Sequence, residues 1–170
     1  ATRIAREYVS IPIFNIDEPM AREAVRQGRR MGIIATVPTS PAATRRQLER
    51  AAQEAGVQIT IETAVNEKAF VHLQAGEIQQ HNDLVCQEMD RLAAKVDVLV
   101  LGQISLAQIQ HQTRVPVLQV GHSGLAEARR LLDLVGRADG PADQVLAPPR
   151  RSAARAAAQA MAAASTASKD

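Results

Sequence analysis

The segment Val96-Asp97-Val98-Leu99-Val100-Leu101-Gly102-Gln103-Ile104-Ser105 decides the fold. Residues 96–101 are nearly all apolar, and a short apolar run rich in β-branched residues reads as a central strand of a parallel sheet, buried on both faces. Gly102 and the polar residues after it then read as a strand-to-helix turn.

The same pattern recurs on either side. Upstream, Met31-Gly32-Ile33-Ile34-Ala35-Thr36 is another short apolar strand, ending in the loop Val37-Pro38-Thr39-Ser40. Ser40 followed by Pro41 is an N-cap and first-turn pair, so a helix is predicted to about residue 55, stopping at Gly56. Residues 57–64 alternate apolar and polar, as in a half-exposed strand. Helices follow over 67–74 and 77–95, the second with Ile78, Leu84, Val85, Met89 and Leu92 as its inward stripe. Downstream, a short helix leads to Val115-Pro116-Val117-Leu118, and a helix over 125–135 closes the fold. Before all of these, Asp17-Glu18-Pro19 opens a helix to about Gln27, with acids in its first turn and Gly28 at its end.

Strands alternating with helices imply βαβ units and right-handed crossovers. The expected fold is therefore α/β: an open parallel sheet flanked by helices on both faces, in three layers. In such sheets ligands sit beyond the carboxyl ends of the strands. That rule singles out residues 15–18, 36–40, 102–105 and 119–123.

Ile11-Pro12-Ile13-Phe14, before the first helix, repeats Val115-Pro116-Val117-Leu118 about a hundred residues later. Each copy reads as a short strand whose proline suits a first position or an edge. If the repeat reflects duplication, the first copy should have a lobe of its own upstream, where ten residues stand. The expected organisation is a remnant of a first lobe with a crossing helix at 1–29, a second lobe at 30–121, a helix returning to the first lobe at 122–136, and an Ala/Pro/Arg-rich disordered tail at 137–170.

Composition narrows the function. Only Tyr8, Phe14 and Phe70 are aromatic, so the core must be aliphatic. Residues 137–170 carry five basic and three acidic side chains, which accounts for the whole net charge of +2, and residues 1–136 are neutral. Neither a nucleic-acid face nor a membrane partner is expected, since no apolar stretch approaches the roughly 20 residues that span a bilayer. The lone cysteine, Cys86, rules out an internal disulfide framework and fits a reducing, cytoplasmic compartment. No Cys or His pair stands at metal-ligand spacing, and no glycine-rich phosphate loop follows either main strand; no metal or cofactor is expected.

At its strand ends the sequence resembles the aspartate/glutamate racemase superfamily, which includes hydantoin racemases, maleate isomerases and arylmalonate decarboxylases. The likeness covers most of residues 9–136. It rests on Ile11-Pro12-Ile13-Phe14-Asn15-Ile16-Asp17-Glu18-Pro19-Met20, on Arg30-Met31-Gly32-Ile33-Ile34-Ala35-Thr36-Val37-Pro38-Thr39 and on Asp97-Val98-Leu99-Val100-Leu101-Gly102-Gln103-Ile104-Ser105-Leu106. Gln74-Ala75-Gly76-Glu77 with His81-Asn82-Asp83 adds to it.

The resemblance implies a cofactor-independent proton exchange at a carbon next to a carboxylate. In that chemistry two thiols, one from each lobe, flank a small carboxylate or amino-acid substrate while hydroxyls and loop amides hold it. The first thiol would fall upstream of Ala1. The second would fall at the turn after Leu101, where glutamate racemases carry Gly-Cys-Thr-His and this chain carries Gly102-Gln103-Ile104-Ser105. Gln103 cannot exchange a proton at neutral pH. Both expected thiols are thus missing from the chain, which leaves two readings: an incomplete racemase or isomerase, expected to be homo-oligomeric, or a non-catalytic lobe that binds a carboxylate.

The residues expected at the substrate are Thr36, Pro38, Thr39, Ser40, Gln103, Ser105 and Glu18. Each has a structural alternative. Thr36, Thr39 and Ser40 can cap the next helix, which is compatible with holding a carboxylate because helix N-termini attract anions. Gln103 and Ser105 can be caps as well, and Glu18 can answer the helix dipole. Cys86 lies mid-helix without a cationic or helix-terminal setting and is read as packing or surface. His81 is read as a hydrogen-bonded structural residue, His72 and His111 as surface, and His122 as a loop residue after a strand end.

Overall fold

The computed structural model describes residues 2–5, 7–9 and 11–137. The chain divides into two compact units, Asn15–Asp133 and a smaller one made of Ala1–Phe14 with Leu134–Asp170. In the smaller unit the described residues form helix α1 (Thr2–Ala5), a turn at Glu7 and Tyr8, and a segment without regular structure. Of the tail expected at 137–170, Arg137 is instead the last residue of a helix, and residues 138–170 lie outside the described residues.

The larger unit holds the sheet. Strands β1 (Arg30–Ala35), β2 (Thr60–Val65), β3 (Val98–Leu101) and β4 (Val117–Gln119) are all parallel, in the order β2-β1-β3-β4. In the register, Ile33 stands beside Val100 and Val100 beside Leu118, which makes β1 and β3 the central strands. Helices α2 (Asp17–Gln27), α3 (Pro41–Glu54), α4 (Glu67–Gln74), α5 (Ile78–Ala93) and α6 (Val120–Arg137) alternate with them, and a single 3-10 turn (Ile104–Leu106) follows β3. This is the open α/β arrangement read from the strand pattern.

Each face of the sheet carries its own aliphatic core. On one, Met31, Ile33, Val98 and Val100 meet Met20, Ala24 and Val25 of α2 and Leu48 of α3; on the other, Ile34, Leu99 and Leu101 meet Val85, Met89 and Leu92 of α5. Successive strand residues point to opposite faces, so helices on both sides leave β3 buried throughout. Each fully buried aliphatic side chain contributes about 1.5–3 kcal/mol. Gly32 belongs to this packing, because a Cβ there would stand 2.8 Å from the Leu99 side chain and 2.9 Å from that of Leu92.

Four sequence expectations need correction. Residues 11–14 are not a strand: the segment has no regular secondary structure, Pro12 has no N–H to give to a ladder, and Ile11 and Pro12 are exposed. The second copy of the repeat does enter the sheet, as β4. The alternating strand begins at Thr60, while Val57 and Ile59 pack half-buried against the core ahead of it. Ile78 is exposed; the inward stripe of α5 is His81, Val85, Met89 and Leu92, spaced by four, four and three residues. The last helix starts at Val120 rather than 125, so Gly121 and Gly124 are helical. Their glycines serve close packing instead of a loop, since a Cβ on Gly124 would lie 2.5 Å from Ile16 Cγ1.

Candidate functional site

Because the strands run parallel, the loops that leave β1 and β3 emerge side by side at the carboxyl edge of the sheet. The Gln103 side chain ties them together. Its Oε1 accepts the backbone N–H of Thr36 at 2.7 Å, and its Nε2 donates to Thr36 Oγ1 at 3.4 Å. Thr36 is wholly buried, so this side chain satisfies a backbone donor that would otherwise be sealed from water. Gln103 is therefore not a cap of the 3-10 turn that follows it, and no side-chain capping bond is made there.

Around this link the expected residues divide by exposure. Pro38, Thr39 and Ser105 are exposed, and Ser40 is half-buried. Ser40 does not cap α3. Its backbone is already helical (φ −67°, ψ −42°) and its N–H closes a turn onto the Val37 carbonyl at 3.1 Å, whereas a capping serine needs an extended backbone to aim its oxygen at the following amides. The cap reading of Ser40 is thus corrected. Glu18 stands half-buried in the first turn of α2, and burial raises the pKa of its neighbour Asp17.

Thr44 is a site residue that the motif reading missed. It lies on the inward face of α3, almost fully buried, and its hydroxyl occupies the space that any side chain on Gly102 would need. Its signal in the sequence is a polar residue in register with Leu48 and Ala51 on an apolar face. At the end of β2, Asn66 caps α4 by accepting the Ala69 N–H at 3.1 Å, and its own N–H donates to the Ala35 carbonyl. Gln119, at the end of β4, donates to the Ile109 carbonyl at 2.8 Å while its buried Oε1 has no partner among the described residues.

The remaining candidates behave as structural or surface groups. His81 is buried with Nδ1 on the Ala69 carbonyl at 2.9 Å. His72 pairs with Glu77 and His111 with Asp90. His122, expected in a loop, is an exposed residue of the first turn of α6. Cys86 is half-buried in mid-helix, where burial first and then Asp90 and Asp83 push its thiol pKa up, the opposite of what a nucleophile or proton shuttle needs. Among the described residues no group of three or more His, Cys, Asp or Glu side chains could hold a metal ion, and no helix is long and apolar enough to cross a membrane.

The family model for Asp/Glu/hydantoin racemases matches residues 2–108, a stretch that contains β1, β2, β3 and both loops of the site. The chain belongs to that family. No curated protein matches it. Among solved structures it is similar to the crystal structure of a glutamate racemase isoform from Bacillus anthracis, with a TM-score of 0.54 and 19% sequence identity over 79% of this chain and 53% of that one. The chain therefore spans about half the length of that racemase, and at this identity the likeness is one of fold. In this family member the turn after β3 carries an amide, Gln103, engaged with the backbone of the neighbouring loop.

Proposed function

We propose that this chain is the carboxylate-holding lobe of a cofactor-independent racemase or isomerase that exchanges a proton at a carbon next to a carboxylate. Family membership and the racemase-like fold support the reaction class. The observation that carries the assignment to this edge of the sheet is the Gln103 bridge, which pins the loop after β1 against the turn after β3. Fixed in this way, the loops present Thr39, Ser40 and Ser105 as hydroxyl donors on a preorganised frame, the arrangement that stabilises an anion at least reorganisation cost. Proton exchange itself needs a titratable group at the reacting carbon; Gln103 is not titratable, and Cys86 lies in mid-helix with its thiol pKa raised.

That last observation favours a second reading for the polypeptide by itself: it holds a small carboxylate without turning it over. One experiment separates the two. In deuterium oxide, the purified chain is incubated with aspartate, glutamate or a hydantoin, and exchange at the α-carbon is followed by NMR. The expected outcome is no enzymatic exchange, because losing a positioned acid or base typically costs about 10²–10⁴ in rate. In the same samples the amides of Thr39, Ser40 and Ser105 should shift together with millimolar affinity, and Thr39→Val should abolish the shifts without unfolding. Robust exchange would make the chain an enzyme in its own right; shifts elsewhere would remove the carboxylate site. A homo-oligomer is also proposed, through α6, whose Leu125 and Leu132 are each 71% exposed, and sedimentation velocity tests it.

A further inference from the structure

The amino edge of the sheet, opposite the candidate site, carries a concavity. Arg30 opens β1, Asp97 directly precedes β3 and Pro116 directly precedes β4; with Arg26, Arg29 and Arg114 they line an open groove of about 680 Å³. Four guanidinium groups face the carboxylate of Asp97, and with Glu23 beside Arg26 the excess is +2, on a body whose residues 1–136 are neutral. Three of the arginines are near neighbours in sequence, and the sheet brings Arg114 to them from more than eighty residues away.

The hydrogen bonds show which charges remain available. Both oxygens of Asp97 are used: Oδ2 accepts the N–H groups of Arg29 and Arg30 at 2.9 Å each, and Oδ1 accepts Nε and Nη2 of Arg30 at 2.9 and 2.6 Å. Asp97 thus neutralises Arg30. Arg26 pairs with Glu23. Arg29 and Arg114 are held by carbonyls instead: Arg29 Nη1 donates to the carbonyls of Val25 and Gly28 at 2.6 and 2.8 Å, and Arg114 Nε donates to that of Ala93 at 2.9 Å. Those contacts steady the side chains and answer the ends of α2 and α5, no carboxylate pairs with either among the described residues, and each guanidinium has five N–H donors to share.

We propose that this groove binds an oligophosphate, that is, a pyrophosphate group either free or carried by a nucleoside. Arginine forks match phosphate oxygens bidentately, and a group bearing at least two negative charges on adjoining phosphates matches the two arginines that carbonyls hold, whereas a monocarboxylate does not. Val115 and Pro116 add an apolar wall against which an organic moiety can rest. The groove lies at the opposite strand ends from Thr39 and Ser105, so its ligand leaves the carboxylate loops free, and the proposal stands independently of the racemase reading.

The test is calorimetric titration of the full 170-residue chain with pyrophosphate and, separately, adenosine diphosphate, without metal, at low and at high salt. Binding is expected for both, weakening as salt rises. Equal affinities identify the free oligophosphate as the ligand class, and tighter adenosine diphosphate identifies the nucleoside-borne group. Arg29→Gln and Arg114→Gln should each weaken binding about tenfold, while Arg46→Gln, on the exposed side of α3, leaves it unchanged. Should the groove variants melt early, amide shifts of the native chain settle the location: they must fall at Arg29, Arg30, Asp97 and Arg114. The proposal is overturned by no binding at about 10 mM ligand, by binding that an Arg29→Gln, Arg114→Gln double variant keeps, or by shifts confined to other residues.

Discussion

Gln103 and Thr36 are joined across neighbouring strands, the side-chain amide of one closing on the backbone N–H and the hydroxyl of the other. A side chain in this position acts as a frame for the loops and holds no proton to give. The consequence for stability is direct. Gln103→Leu leaves the buried Thr36 N–H without an acceptor and should cost about 1–3 kcal/mol in urea unfolding, with the slope of the transition unchanged. Gln103→Glu keeps the acceptor and should cost less; equal losses for the two variants would mean that the bond to the Thr36 backbone contributes nothing.

Gly102 and Thr44 make a second coupled pair beside it. Gly102→Ala drives a methyl group into the Thr44 hydroxyl, and a β-branched residue in a helix has little rotamer freedom with which to yield. We expect Gly102→Ala to destabilise by about 1–3 kcal/mol. Thr44→Ala should relieve most of that loss, so the double variant is more stable than the sum of the single changes predicts. Additive effects would show that the two residues do not compete for the same space.

These two pairs also mark where the sequence stops being readable. Strand and helix identities at β1, β3, α2, α3 and α4 follow from local signals, namely apolar runs, period-3.6 stripes, and Pro and Gly punctuation, all of which act within a dozen residues. The site depends on contacts between residues far apart in the chain, such as Gln103 with Thr36, and no local pattern encodes which side chain a buried amide will seek. Residues 11–14 show the complementary failure. Their apolar, β-branched pattern is right for a strand, but a strand exists only within a ladder, and ladder formation is not a property of the segment itself. Ser40 stands at the N-cap position before Pro41 as its residue type implies, but its side chain makes no capping bond, because backbone angle decides that.

Asp97 gives the fold an acid-sensitive lock. The Arg30 guanidinium first, then the backbone N–H groups of Arg29 and Arg30, hold its carboxyl well below the usual carboxylate range. A folded-state pKa below the unfolded value of about 3.9 means that the group stabilises the fold fully above that value and loses its contribution as pH falls through the folded pKa. Thermal melts from pH 7 downwards should therefore show a falling stability below about pH 4 that Asp97→Asn partly flattens, with the variant less stable than the native chain at neutral pH. An identical acid limb in the variant would assign the loss to other carboxylates.

Cys86 is the chain's one thiol, and its chemistry tests its reading as a packing residue. Burial raises its pKa, and Asp90 and Asp83 add to the rise by opposing a second negative charge nearby. Since the thiolate is the reactive form, alkylation by iodoacetamide at pH 7 should be slower than that of a free cysteine, whose pKa is about 8.5. The rate should climb with pH to a midpoint above that value. Asp90→Asn removes one of the opposing charges and should shift the midpoint down and speed alkylation at fixed pH, while leaving the carboxylate-induced amide shifts at Thr39 and Ser105 untouched. A fast-reacting thiol with a depressed midpoint, protected by aspartate or glutamate, would instead place Cys86 in the substrate site and overturn its reading as a packing residue.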